Sequence, residues 1–108
     1  MIPEQQQEFI QSLQNCMVAC NNCYNACLQE DDVNMMAQCI RLDRECADTC
    51  AFLAQAVARK SPFVSELATV CAFICDACGQ ECKKHDHEHC QICANACFTC
   101  AEACRSMM

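Results

Sequence analysis

The sequence predicts an all-α fold, an up-down-up-down antiparallel four-helix bundle with a cysteine-lined interior. Its 108 residues include 16 cysteines but only one glycine and two prolines, so it lacks the residues that tight β-turns need. Within each segment, neighbouring cysteines are 3, 4 or 7 residues apart, the intervals that share one face of an α-helix. Short connections between four such segments imply antiparallel neighbours.

Helices 1 and 2 have recognisable ends. Helix 1 is predicted from about Pro3 to Leu28, because proline suits a first helical turn and the acidic residues that follow it favour the helix dipole. Asp31 or Asp32 is predicted to cap helix 2. That helix is expected to continue to the basic pair Arg59 and Lys60, whose charges suit a helix C-terminus.

Helices 3 and 4 follow after similarly short connections. Ser61 is predicted to cap helix 3 with Pro62 at its first position, and Lys83 and Lys84 are predicted to end it. Asp86 is predicted to cap helix 4, which is expected to run to the end of the chain. No linker interrupts this organisation, so residues 1–108 are predicted to form one four-helix bundle domain.

A cysteine repeat occurs once in each predicted helix. The pattern C-x3-C-x2-C-x3-C starts at Cys16, Cys71 and Cys93, and a fourth copy starts at Cys39 with Asp43 in place of its second cysteine. Together with one additional cysteine in helix 4, the four copies account for all the cysteines of the chain: Cys16, Cys20, Cys23, Cys27, Cys39, Cys46, Cys50, Cys71, Cys75, Cys78, Cys82, Cys90, Cys93, Cys97, Cys100 and Cys104.

The two ends of the predicted bundle differ in composition. One end should collect an apolar plug formed by Phe9, Leu13, Leu53, Val57, Phe63 and Leu67. The other end should collect soft and borderline metal ligands, namely Cys27, Met35, Met36, Cys39, Cys82, His85, His87, His89 and Cys90. We therefore interpret the second end as an open mouth.

Rows of thiols inside straight helices favour Cu(I) among the metals that thiolates select. Structural zinc sites usually converge from turns, and iron–sulfur ligation typically uses irregular loops, often with a Cys-Pro step that is absent here. Cu(I) accepts two or three sulfurs, so a sulfur-lined tube could hold many ions, up to about one per cysteine. The alternatives are a metallothionein-like Zn or Cd buffer and a disulfide-stapled helical scaffold.

Other function classes fit the sequence poorly. An enzyme is not expected, because the chain has no Glu-x-x-His motif for a di-iron site and no predicted strand for a thioredoxin-like site. A net charge of −7 disfavours nucleic acid and anionic membrane surfaces as partners. The sequence shows no signal peptide and no apolar run of 18 residues, so a cytoplasmic location is expected, where thiols stay reduced.

The four cysteine-striped helices, the repeated C-x3-C-x2-C-x3-C motif and the histidines that open helix 4 closely resemble the cytosolic bacterial copper storage proteins. The likeness covers essentially all 108 residues. It implies Cu(I) storage on the inward cysteines, His87 and His89 at the mouth, and a homotetrameric assembly. Further candidates for contact with copper are Asp43, His85, Met35 and Met36.

The resemblance also suggests how such a protein would interact. Copper ions are its expected ligands, and proteins that load or unload the copper are expected partners that the sequence does not identify. Val18, Phe52 and Phe73 lie outside the cysteine stripe, so they are predicted to contribute to contacts between subunits.

Overall fold

The computed structural model describes residues 2–108 and confirms the four-helix bundle. Four helices alternate in direction and pack in a ring in which each contacts its two neighbours, and no strand occurs in the described range. The helices are α1 (Glu4–Leu28), α2 (Ala37–Ala58), α3 (Val64–Lys83) and α4 (Glu88–Arg105), with a short 3-10 helix (Val33–Met36) before α2. The bundle measures 46 × 21 × 17 Å.

The start of α2 differs from the prediction. Neither Asp31 nor Asp32 caps α2, because a 3-10 helix follows Asp32 and α2 begins only at Ala37. The Asp32 side chain makes no capping hydrogen bond. The tighter turn brings Met36 into the core, where its side chain is fully buried. The start of α2 therefore has a buried methionine side chain and no side-chain cap.

The connection between α2 and α3 also corrects the prediction. The N–H of Lys60 donates to the carbonyl oxygen of Val57, and the N–H of Ser61 donates to the carbonyl oxygen of Ala56. Lys60 is in the left-handed conformation (φ 58°). This pair of bonds is a Schellman motif, which normally uses glycine at that position. Ser61 and Pro62 consequently lie in a turn rather than at the start of α3, and Phe63 occupies the cap position.

That turn removes Phe63 from the predicted apolar plug. Its side chain is 61% exposed, whereas Leu67, one turn into α3, is partly buried against the core. The plug that the structure does contain, hereafter the apolar end, consists of the buried side chains Phe9, Leu13, Leu53 and Val57.

Helix α4 begins one residue later than predicted. Asp86 does not cap it, since His87 occupies the cap position without a side-chain capping bond. The imidazole of His87 instead faces two carboxylates at the same end of the bundle. The helix stops at Arg105, short of the chain end, and Lys83 is the last residue of α3 as predicted.

Close packing of α3 against α4 depends on the single glycine. A Cβ built on Gly79 would lie 2.7 Å from the ring of Phe98, so glycine leaves the space that this ring occupies.

No helix within residues 2–108 combines the length and apolar character needed to span a membrane.

Candidate metal centre

All sixteen cysteine side chains are fully buried and point into the bundle. Each is a free thiol, which does not support the disulfide-stapled scaffold. Within the described residues, every Sγ except that of Cys104 lies 3.3–4.0 Å from at least one other Sγ. Because a metal–sulfur bond is about 2.3 Å long, two sulfurs on one trigonal ion would be about 4 Å apart. The spacing of the thiol array is therefore already close to that of ligands on one ion.

The sulfurs form overlapping groups rather than separate sites. Each group consists of three or more ligand atoms within 4.8 Å of one another, and several groups share members, so a thiolate can belong to two sites at once. Five of these groups are Cys16/Cys46/Cys50/Cys75, Cys16/Cys20/Cys46/Cys97, Cys20/Cys78/Cys93/Cys97, Cys50/Cys71/Cys75/Cys100 and Cys23/Cys27/Cys39/Cys90. Such sharing suits a cluster built on bridging thiolates.

Asp43 lies among the thiols, as its place in the helix 2 copy of the repeat predicts. Its Oδ1 accepts hydrogen bonds from Cys78, Cys82 and Cys93 at 3.4, 3.5 and 3.3 Å, and its Oδ2 accepts one from Cys39 at 3.8 Å. Burial raises the pKa of this carboxyl to about 10, and nearby thiolate charge adds to the effect. Burial therefore favours the neutral form of Asp43 near pH 7.

At the mouth, His89 is the histidine that reaches the sulfurs. Its Nδ1 lies 3.4 Å from the Sγ of Cys23 and 3.6 Å from the Sγ of Cys90. Its Nε2 lies 2.7 Å from the Oε2 of Glu30. One ring nitrogen of His89 thus faces the thiol array and the other faces a carboxylate.

His87 lies on the outer side of His89. The two rings are stacked with their centroids 5.3 Å apart. Nδ1 of His87 lies 3.1 Å from the Oε2 of Glu30, and its Nε2 lies 3.4 Å from the Oδ1 of Asp32. Both nitrogens of His87 face carboxylates, so the two histidines that the sequence groups together have different surroundings.

The remaining candidates lie in other settings. Nε2 of His85 lies 2.9 Å from the carboxylate of Glu81, on the same side of α3. The Met35 side chain is 74% exposed, whereas Met36 is buried in the core. Met36 therefore lies in the buried core, and Met35 faces solvent.

Sequence reasoning missed Glu30. It lies two residues after the end of α1 and carries no local pattern that marks it, because its partner His89 is 59 residues further along the chain. Only the antiparallel packing of α1 against α4 brings the two side chains together.

Burial raises the pKa of Cys90 to about 12 and also raises the pKa of Cys27. These mouth thiols therefore hold their protons near pH 7 in the absence of metal. Thiolates are the metal-binding form, so a cation that binds here displaces protons.

Comparisons with known proteins agree with this chemistry. A family model described as copper storage protein matches residues 2–108. The cysteine-rich protein YhjQ of Bacillus subtilis (strain 168) is 57% identical over 98 residues, which cover 91% of both chains.

Solved structures of copper storage proteins also match this chain. The Cu(I)-bound copper storage protein BsCsp3 of Bacillus is 54% identical, with a TM-score of 0.92, and the match covers 96% of this chain and 98% of that one. A cytosolic copper storage protein from Streptomyces lividans, loaded with five coppers, is 37% identical with a TM-score of 0.93, covering 96% and 92%.

Proposed function

Because this chain belongs to the copper storage protein family, we propose that its sixteen buried thiols hold the stored Cu(I) and that His89 receives the ions at the mouth. The observation that carries the proposal is the continuous array of Sγ atoms at 3.3–4.0 Å within a closed helical bundle. The role is storage rather than catalysis, and the relative from Streptomyces supports a cytosolic location.

The charge balance of the array suits a monovalent cation. Each Cu(I) that replaces one thiol proton leaves the core neutral, so filling the tube avoids the large cost of burying unpaired charge. A divalent ion would need two thiolates for the same balance. Thiolates that bridge two ions then allow a capacity of up to about one Cu(I) per cysteine.

Movement along the array requires no free ion. Each sulfur except that of Cys104 has a neighbour within 4.0 Å, so an incoming ion can be bound by the next sulfur before it leaves the previous one. The mouth provides partly hydrated ligands, whereas the four side chains of the apolar end, Phe9, Leu13, Leu53 and Val57, cannot bind a metal. We infer that copper is taken up and returned through the mouth, in exchange with copper-carrying proteins.

Anaerobic titration of the reduced, metal-free protein with Cu(I), in competition with a chromophoric chelator, tests the function. The expected result is saturation near one Cu(I) per thiol, about 16 per chain. A parallel titration with Zn(II) distinguishes the metallothionein-like buffer. Saturation at only a few ions, with Zn(II) bound as tightly, would contradict copper storage.

A homotetramer is the proposed assembly. Val18, Phe52 and Phe73 are exposed on the outer faces of three different helices, where a subunit contact would bury them. Sedimentation equilibrium should give four times the mass of one chain, and a single-chain mass would contradict the proposal.

A further inference from the structure

The carboxylate of Glu30 faces one ring nitrogen of His89, and the thiol array faces the other. The Oε2 of Glu30 lies 2.7 Å from Nε2 of His89, and a carboxylate oxygen can only accept a hydrogen bond. When the ring is neutral, a hydrogen on Nε2 satisfies this contact and leaves the lone pair on Nδ1. That lone pair is on the side of Cys23 and Cys90.

We propose that Glu30 is a positioning residue that holds His89 as an Nδ1 ligand, so that Cys23, Cys90 and His89 form a three-ligand Cu(I) site at the mouth. The inference rests on the proposed storage function and assigns a role to a residue that contacts no sulfur. Hydrogen bonding of a metal-binding histidine to a carboxylate fixes both its tautomer and its ring orientation.

The three ligand atoms form a nearly equilateral triangle. Nδ1 of His89 lies 3.4 and 3.6 Å from the two sulfurs, and the sulfurs of Cys23 and Cys90 are 3.9 Å apart. The point equidistant from all three atoms lies about 2.1 Å from each, close to the metal–nitrogen and metal–sulfur bond lengths of soft sites. A trigonal ion fits with little movement of the side chains.

Surrounding groups restrain Glu30 and the ring it holds. Its Oε2 also lies 3.1 Å from Nδ1 of His87, and the His87 ring stacks on that of His89. Asp32 faces the outer nitrogen of His87. The carboxylate is thus shared by two imidazoles, and only the inner one meets the thiols.

Asp31 provides a matched control for the test. It is the next residue, carries the same charge, is exposed, and makes no ion pair with another described residue. Glu30→Ala and Asp31→Ala therefore change the charge of the mouth equally, but only the first removes the acceptor from His89.

The tautomer is read directly by long-range 15N NMR of the copper-free protein. Wild type and Asp31→Ala should show His89 protonated at Nε2, whereas Glu30→Ala should show a substantial Nδ1–H population. Glu30→Gln should show both forms, because an amide can present either its oxygen or its NH2 group to the ring. A role in packing alone would not change this signature.

Copper binding is followed through the same resonance. The affinity for the Cu(I) ion that shifts Nδ1 of His89 should fall about 10–100-fold in Glu30→Ala and less in Glu30→Gln, as expected for loss of an outer hydrogen bond. An unchanged tautomer and affinity in Glu30→Ala would overturn the inference, as would an equal loss in Asp31→Ala. Should Glu30→Ala fail to fold, Glu30→Gln decides by the same two readouts.

Total capacity separates this inference from the storage function. A wild-type protein that fills its thiols while Glu30→Ala behaves normally would refute the role of Glu30 and leave storage intact. A wild-type protein that binds only a few Cu(I) ions would refute storage itself.

Discussion

The two ends of the bundle are built from the same four helices but have opposite chemistry. The apolar end contains Phe9, Leu13, Leu53 and Val57, all buried and without an ionisable group among them. The other end, hereafter the histidine mouth, places the rings of His87 and His89 between carboxylates and thiols. The contrast shows how a bundle with a similar cysteine repeat in every helix can admit metal ions at one end.

The two ends contribute to different properties: the apolar end to the stability of the fold, and the mouth to the exchange of copper. Large apolar side chains at the closed end remove more apolar area from water than cysteines do, so they stabilise the bundle before metal is present. Imidazoles and carboxylates at the mouth are partly hydrated and can exchange ligands. Substitutions at the two ends should therefore affect different properties.

The largest effect should come from opening the apolar end. Leu53→Ala removes a fully buried side chain and leaves a cavity, so the free energy of unfolding of the copper-free protein should fall by about 2–5 kcal/mol. Denaturant unfolding under reducing conditions measures the change. Cu(I) capacity should stay close to that of the wild type wherever the variant is folded.

Leu28→Ala is the matched control, because Leu28 is the same residue type but exposed, at the end of α1 near the mouth. Its effect on unfolding should stay within about 0.5 kcal/mol. Equal losses in the two variants would show that the apolar end does not hold the special share of stability assigned to it.

The pH dependence of stability tests Asp43, which lies between the two ends. Its pKa rises from an ordinary 3.8 to about 10 on folding, so the folded chain keeps a proton that the unfolded chain loses. Its contribution to stability is fully present below pH 3.8 and is lost as the pH rises toward 10. The slope for one proton is at most about 1.4 kcal/mol per pH unit.

Asp43→Asn cannot titrate and keeps a similar shape. Relative to this variant, the wild-type copper-free protein should become progressively less stable between pH 5 and pH 7, a range in which unfolded thiols remain protonated. Denaturant unfolding of both proteins at several pH values gives the difference. A difference that stayed constant over this range would mean that Asp43 is ionised in the folded protein.

The sequence could predict the tube because helix periodicity is local. Cysteines 3 and 4 residues apart must share a helix face whatever the rest of the chain does, and the structure buries all sixteen of them. The same reasoning placed Asp43 among the thiols and His87 and His89 at one end. Burial patterns that repeat within one helix are therefore the part of the site most accessible from sequence.

Features that depend on backbone turns or on contacts between helices were less accessible. The left-handed conformation of Lys60 delays α3 and exposes Phe63, although lysine gives no sign of such a turn. The hydrogen bond from His89 to Glu30 joins residues that are 59 positions apart in the chain. No local pattern distinguishes Glu30 from the exposed acidic residues around it.

The smallest effect in energy should be on the rates at the histidine mouth. Replacing His87 and His89 together by leucine removes the imidazoles that meet incoming copper. Uptake from a Cu(I) chelate and removal by excess chelator should each slow on the order of tenfold, equivalent to about 1.4 kcal/mol in the barrier. Stopped-flow absorbance measures both rates, while the number of ions bound at saturation should remain nearly unchanged.

Single variants and a reciprocal variant determine where this effect originates. His89→Leu should reproduce most of the slowing, because only His89 lies within 3.4–3.6 Å of thiol sulfurs, whereas His87→Leu should act weakly through the shared Glu30. Replacing Cys97 and Cys100 by alanine, inside the array, should lower capacity by about two ions and leave initial uptake intact.

If the double histidine variant exchanged copper at the wild-type rate, access would have to occur elsewhere. Access at the opposite end would have to pass the apolar side chains there, so copper transfer should then become faster in Leu53→Ala.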